Sequence, residues 1–154
     1  MSKIGLEKKK AEKVADKMNV LLANYHIYYQ NLRNFHWNIT GENFFELHEK
    51  FEDYYTETLT HIDEIAERIL TLGFRPTSNV SDYLKISKIK EAGKIIVDKE
   101  MVKIVVDNMN TLLEIEREVI EEADKAGDEG TQDLIAPYIS GKEKDIWMLN
   151  AFLK

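Results

Sequence analysis

From Phe44 to Gly73 the chain reads FFELHEKFEDYYTETLTHIDEIAERILTLG. Phe44, Leu47, Phe51, Tyr54, Leu59, Ile62, Ile65, Ile69 and Leu70 recur at the three-and-four spacing of a helix with one buried face. Gly73 is a natural stop, and Pro76 follows shortly after it. The spacing predicts one unbroken helix over about 42–72. It is long enough to span a bundle and carries acidic and imidazole side chains among its apolar ones.

Three more patterns of the same kind flank it. Val14, Met18, Leu21, Leu22, Tyr25, Tyr28 and Leu32 predict a first helix over about 6–35, ended by the break Asn38-Ile39-Thr40-Gly41. A third helix is predicted over about 98–126, closed by Gly127. A fourth is predicted over about 129–152, with Pro137 inside it and a kink expected near Asp133 to Pro137. The stretch 76–93 is too long for a simple turn. Ser81 could cap a short helix there. The predicted fold is all-α: a four-helix bundle with a long crossover, carrying a short helix, between the second and third helices. That is the ferritin-like arrangement, and residues 1–154 form one domain.

Composition agrees. The chain has 154 residues, 2 prolines and no cysteine, which excludes disulfides, thiolate metal sites and a cysteine nucleophile. Its 28 acidic against 21 basic residues give a net charge of −7. This balance disfavours nucleic acid and anionic membranes as partners and suits cations. No apolar run approaches the roughly 20 residues of a membrane span, and Met1 to Lys10 has no signal-peptide core. A cytoplasmic protein is expected.

The second helix decides where chemistry could lie. At roughly 100° per residue, taking His48 as zero, Glu52 lies near 40°, Asp63 near 60° and Glu67 near 100°, whereas His61 falls near 220°. The within-bundle di-iron site needs Glu-x-x-His on two helices, and that motif is absent. His48 and Asp63 stand roughly 22 Å apart along the helix axis, so they cannot meet on one ion within one chain. Two copies of the helix crossing antiparallel about a two-fold axis can bring His48 and Glu52 of one to Asp63 and Glu67 of the other. His36, at the end of the first helix, could join the His48 side. Imidazoles with carboxylates suit iron, manganese or zinc. A plain bundle with solvated acids has the same pattern, so spacing leaves both readings open.

The residues also carry a resemblance. The run Asn34-Phe35-His36-Trp37-Asn38, then Gly41-Glu42-Asn43-Phe44, then Leu47-His48-Glu49, then His61-Ile62-Asp63-Glu64-Ile65-Ala66-Glu67-Arg68 resembles the Dps family of dodecameric mini-ferritins. So does Lys144-Asp145-Ile146-Trp147-Met148-Leu149 near the end of the chain. The resemblance implies a homo-dodecamer with ferroxidase sites at its two-fold interfaces. His36 and His48 would be ligands from one subunit, Asp63 and Glu67 from the other, with Glu52 where the family commonly has Asp. It implies that Fe(II) is oxidised, preferably by hydrogen peroxide, and stored as Fe(III) mineral in a hollow shell. Zinc or manganese could stand in for iron.

Trp37, beside His36, could donate an electron or serve only in packing. The resemblance puts Asp128, Glu129 and Asp133 around an ion-admitting pore, although Asp128 and Glu129 equally suit a helix N-terminus. Trp147, His26 and His61 are expected to be structural, Trp147 in the core. Family members that bind DNA often carry basic tails. Here Lys3, Lys8, Lys9, Lys10, Lys13 and Lys17 fall mostly within the predicted first helix beside Glu7 and Glu12, so weak or no DNA binding is expected at physiological salt. The alternative function is a DNA-compacting or structural shell whose metal sites are weak.

Overall fold

The computed structural model describes all 154 residues. It contains five helices and no strand: α1 (Lys8–Asn38), α2 (Phe44–Thr71), α3 (Val80–Ile86), α4 (Asp98–Ala126) and α5 (Glu129–Leu153). α1 packs along α2 and α4, α4 along α5, and α3 lies on α1. The short links 39–43 and 127–128 return the chain against itself, as in an αα-hairpin. The all-α bundle expected from the spacing is therefore present, with helix ends within about three residues of their predicted positions.

Helix α1 buries its predicted stripe, and α2 buries most of its own, with Leu59 and Leu70 left exposed. Val14, Met18, Leu21, Leu22, Tyr25, Leu32 and Phe35 of α1 meet Phe51, Ile65 and Ile69 of α2 and Met101, Leu112, Ile115 and Val119 of α4 in one core. Gly127 closes α4 in the left-handed region, φ 65°, where a glycine pays no Cβ penalty.

The crossover is held by a row of asparagines on α1. Asn19 accepts from the Thr77 N–H at 2.8 Å and donates to the Arg75 carbonyl. Asn24, wholly buried, accepts from the N–H groups of Lys88 and Ile89 and from the Ser87 hydroxyl at 3.0–3.1 Å. Asn31 donates to the Lys90 carbonyl and accepts from the Ala92 N–H, both at 2.9 Å, and Asn34 donates to the Gly93 carbonyl. These amides satisfy a loop backbone that has no ladder of its own.

Two expectations change, at α3 and at Trp147. α3 begins at Val80 with Asn79 in the cap position and no side-chain cap bond, so Ser81 lies inside the first turn and is not the cap. Helix α5 runs through Pro137 as one element, as the spacing predicted; the missing proline N–H costs one hydrogen bond rather than the helix. Trp147 is 67% exposed and not in the core, because the buried positions of α5 are Thr131, Ile135, Tyr138, Lys142 and Leu149.

Candidate metal centre

Ile39, buried at the α1–α2 corner, folds the two helix ends together. The corner brings His36 and His48 face to face, ring centroids 3.8 Å apart and 14° from parallel. Their backbones tie them reciprocally. The Nδ1–H of His36 donates to the His48 carbonyl at 2.6 Å, and the Nδ1–H of His48 donates to the His36 carbonyl at 2.7 Å.

A carbonyl only accepts, so each Nδ1 carries the proton. In the neutral ring each Nε2 then holds a lone pair. This is the arrangement that orients a metal-ligating imidazole through its other nitrogen. Phe44 stacks on His48 at 4.9 Å, and Tyr55 meets His36 edge-on at 5.3 Å, fixing both rings from outside.

The carboxylates stand on the outer face of α2. Glu52, Asp63 and Glu67 are exposed, and Glu52 accepts a 3.5 Å hydrogen bond from the Tyr55 hydroxyl. The structure brings His36 to His48 but leaves Asp63 and Glu67 further along the helix. No three His, Asp or Glu side chains within one chain stand close enough to hold a metal ion. Leu59 and Leu70 lie on the same stripe, more than half exposed, and Phe45 is 80% exposed. Trp37 is exposed beside His36, with the Arg33 guanidinium 4.8 Å from its ring.

Of the three acids assigned to a pore, Asp128 changes role. Its carboxylate is buried, pairs with Arg68 at 2.6 Å, accepts from the Thr131 hydroxyl at 2.6 Å and caps α5 through the Thr131 N–H at 3.0 Å. Capping and ion pairing engage both of its oxygens, the helix-start role that the sequence also allowed for it. Glu129 and Asp133 are exposed. An open groove between α2 and α5 is lined by Glu64, Glu67, Arg68 and Asp133. It adjoins a second groove at Gly130 and Asp133 that reaches Glu129.

The other histidines are structural. His26 stacks on Tyr83 at 3.9 Å, joining α1 to α3. His61 stacks on Tyr138 at 3.9 Å, and burial with the nearby Lys142 charge holds its pKa down to about 4. Sequence reasoning missed the buried pair Lys142–Glu116, 2.9 Å apart. The signal was available: both charges fall at apolar-face positions of their helices, Lys142 four residues after Tyr138 and Glu116 four after Leu112.

Comparison with known proteins agrees with this architecture. Residues 15–154 match the ferritin-like domain family, so the class is that of the ferritin-like bundles. A Dps protein from Vibrio cholerae O1, described as a member of a broad superfamily of ferritin-like diiron-carboxylate proteins, superposes with a TM-score of 0.98 at 47% identity. That alignment covers 100% of this chain and 97% of the other. A Dps protein from Bacillus brevis gives 0.92 at 41% identity, covering 96% and 99%. The "DNA protection during starvation protein" of Porphyromonas gingivalis is 43% identical over 148 residues, 96% of this chain and 93% of that one. The chain belongs to the Dps family of ferritin-like proteins.

Proposed function

We propose that the protein is an iron-storing ferroxidase that assembles as a dodecameric shell and removes Fe(II) together with hydrogen peroxide. The observation that carries this reading is the locked histidine pair. Two imidazoles with their Nε2 lone pairs free stand at one end of an exposed α2 stripe, and two exposed carboxylates, Asp63 and Glu67, stand at the other. Two-fold pairing of α2 would complete the site, with His36, His48 and Glu52 facing Asp63 and Glu67 of the partner subunit. Leu59, between the two ends, would be buried by the same contact. The family relationship, and the diiron-carboxylate description of the Vibrio cholerae relative, support iron as the substrate.

The donor set suits the reaction. Carboxylates compensate the charge gained as Fe(II) becomes Fe(III), and neutral imidazoles bind Fe(II) without adding negative charge. Two Fe(II) ions give one electron each to hydrogen peroxide. With two protons, the O–O bond breaks to give two waters and two Fe(III), and no hydroxyl radical is released. Trp37 could supply the second electron when only one Fe(II) is bound. Zinc and manganese fit the same donors as surrogates.

Glu129 and Asp133 are the acids we assign to a cation-admitting pore, where like-signed side chains focus the field on incoming Fe(II). DNA binding is expected to be weak, because the α1 lysines are partly engaged within the chain: Lys10 pairs with Glu7 at 3.4 Å and Lys17 with Glu118 at 3.0 Å. No helix is long and apolar enough to cross a membrane.

The test is stopped-flow Fe(II) oxidation by peroxide. The His48→Ala, Asp63→Ala variant should assemble yet oxidise iron only at the background rate. Wild-type turnover in assembled variant shells would overturn the assignment.

A further inference from the structure

From His48 to Tyr55 the chain reads HEKFEDYY, which puts His48, Glu52 and Tyr55 on one stripe of α2, four and three residues apart. Tyr55, half-buried on that stripe, touches two of the groups assigned to the interfacial site. Its ring meets His36 of α1 edge-on, centroids 5.3 Å apart and planes at 76°. Its hydroxyl donates to the Oε1 of Glu52 at 3.5 Å. One phenol thus joins an imidazole of the first helix to a carboxylate of the second.

Helix α1 backs this phenol. Tyr29 packs edge-on against the Tyr55 ring, centroids 5.9 Å apart and planes at 81°. One turn further along α1, the Arg33 guanidinium lies 5.1 Å from the Tyr29 ring and 4.8 Å from that of Trp37, within cation–π range. His36 is itself tied through Nδ1 to the His48 carbonyl. Tyr55 is therefore held by two rings of α1 that have partners of their own.

Glu52 has no such frame except Tyr55. It is exposed, and a glutamate has one more rotatable bond than the aspartate common at this position in the Dps family. Ordering that arm costs conformational entropy at the moment an ion binds. An ionised carboxylate only accepts, and it has two oxygens. A phenol that donates to one of them restrains the arm and leaves the other for a cation. At 3.5 Å the bond is long, as hydrogen bonds around a site often are before a ligand draws the groups together.

We propose that Tyr55 is a positioning residue of the ferroxidase site: its hydroxyl holds the Glu52 carboxylate beside the His36 imidazole, so that both reach the same ion. This role rests on the two-fold site proposed for the chain and gives Glu52 its place there.

The test is equilibrium binding of Co²⁺ to assembled, metal-free shells, read by d–d absorption. Tyr55→Phe keeps the ring between Tyr29 and His36 and removes only the hydroxyl. It should weaken Co²⁺ binding about 10-fold, the scale on which outer partners of metal ligands act, and shift the d–d bands. Glu52→Ala should weaken binding as well, and Tyr55→Phe should then add nothing, because the partner of the hydroxyl is gone. Unaltered Co²⁺ affinity in Tyr55→Phe shells would overturn the role of Tyr55. So would a second loss of that size when Tyr55→Phe is placed on Glu52→Ala, since the hydroxyl would then act through another group. Failure of the two-fold site has a different signature: His48→Ala, Asp63→Ala shells would bind Co²⁺ as tightly as wild type, and both assignments would fall. Weakened binding in those shells beside full affinity in Tyr55→Phe ones refutes Tyr55 alone.

Discussion

Two regions of the molecule collect carboxylates and histidines, and they are built in opposite ways. At the bundle centre, Glu116 and Lys142 are buried and bound to each other. On the outer face of α2, Glu52, Asp63 and Glu67 are exposed, and the His36–His48 pair keeps two nitrogens uncommitted. The difference follows from solvation. A charge buried during the folding of one chain must find its counter-charge in that chain. A charge left on the surface can stay in water until a second subunit and a metal ion arrive. A single ferritin-like bundle thus separates a finished electrostatic core from an unfinished surface.

The sharpest way to break this comparison is at the surface. Replacing both His48 and Asp63 with Ala should lower peroxide-driven Fe(II) oxidation by more than about 100-fold, beyond the range seen when only outer partners of a metal ligand are lost. Urea unfolding of the same shells should move little, since these side chains carry none of the core. At the centre the expectation reverses. Glu116→Ala leaves the Lys142 ammonium buried and unpaired and should cost about 3–5 kcal/mol of unfolding free energy. The pair Glu116→Gln, Lys142→Met should recover most of that. Equal losses from the single and double changes would show that the ion pair is not what the core depends on.

Smaller effects sharpen the boundary between the regions. A Cβ at Gly130 would stand 2.7 Å from the Arg68 guanidinium, which Asp128 and Thr131 hold in place. Gly130→Ala should therefore cost about 1–3 kcal/mol by overpacking. It should also displace Arg68, which a crystal structure of the variant would reveal. Asn24→Ala strands the N–H groups of Lys88 and Ile89 and should cost about 1–3 kcal/mol, with faster amide exchange confined to the crossover.

The last effect is a pH slope, seen only in acid. His61 titrates near 4 in the folded chain against 6.5 in an open one, so it stays neutral while the unfolded state takes up a proton. Its contribution is complete above about pH 6.5 and is lost as pH falls toward 4, by at most about 1.4 kcal/mol per pH unit. His61→Phe should flatten that limb of the stability curve.

Much of this was legible in the chain. Helix spacing is a local property, so the stripes of residues 44–73 and their three companions predicted the bundle. Glycines 73 and 127 marked helix ends because a left-handed residue is cheap only there. The shared stripe of His48, Glu52, Asp63 and Glu67 was equally visible, since side-chain direction on a helix follows from residue number. What escaped was contact between distant segments. Asn19, Asn24, Asn31 and Asn34 bind the crossover, and nothing in their spacing along the first helix signals that contact. Asp128 read as a pore acid or a helix-start acid, with nothing to show that Arg68, sixty residues earlier, binds it. Trp147 read as core because it is large and apolar, yet it falls off the face that α5 buries.

The sequence by itself determined the helices, their order and the face of α2 that carries His48, Glu52, Asp63 and Glu67, because these follow from periodicity along one chain. Only the tertiary structure decided which charges were already spent. It joined Lys142 to Glu116 and Asp128 to Arg68, and it turned His36 and His48 so that each fixes the other's proton. Pairing of this kind depends on distance through space, and distance through space is set by packing.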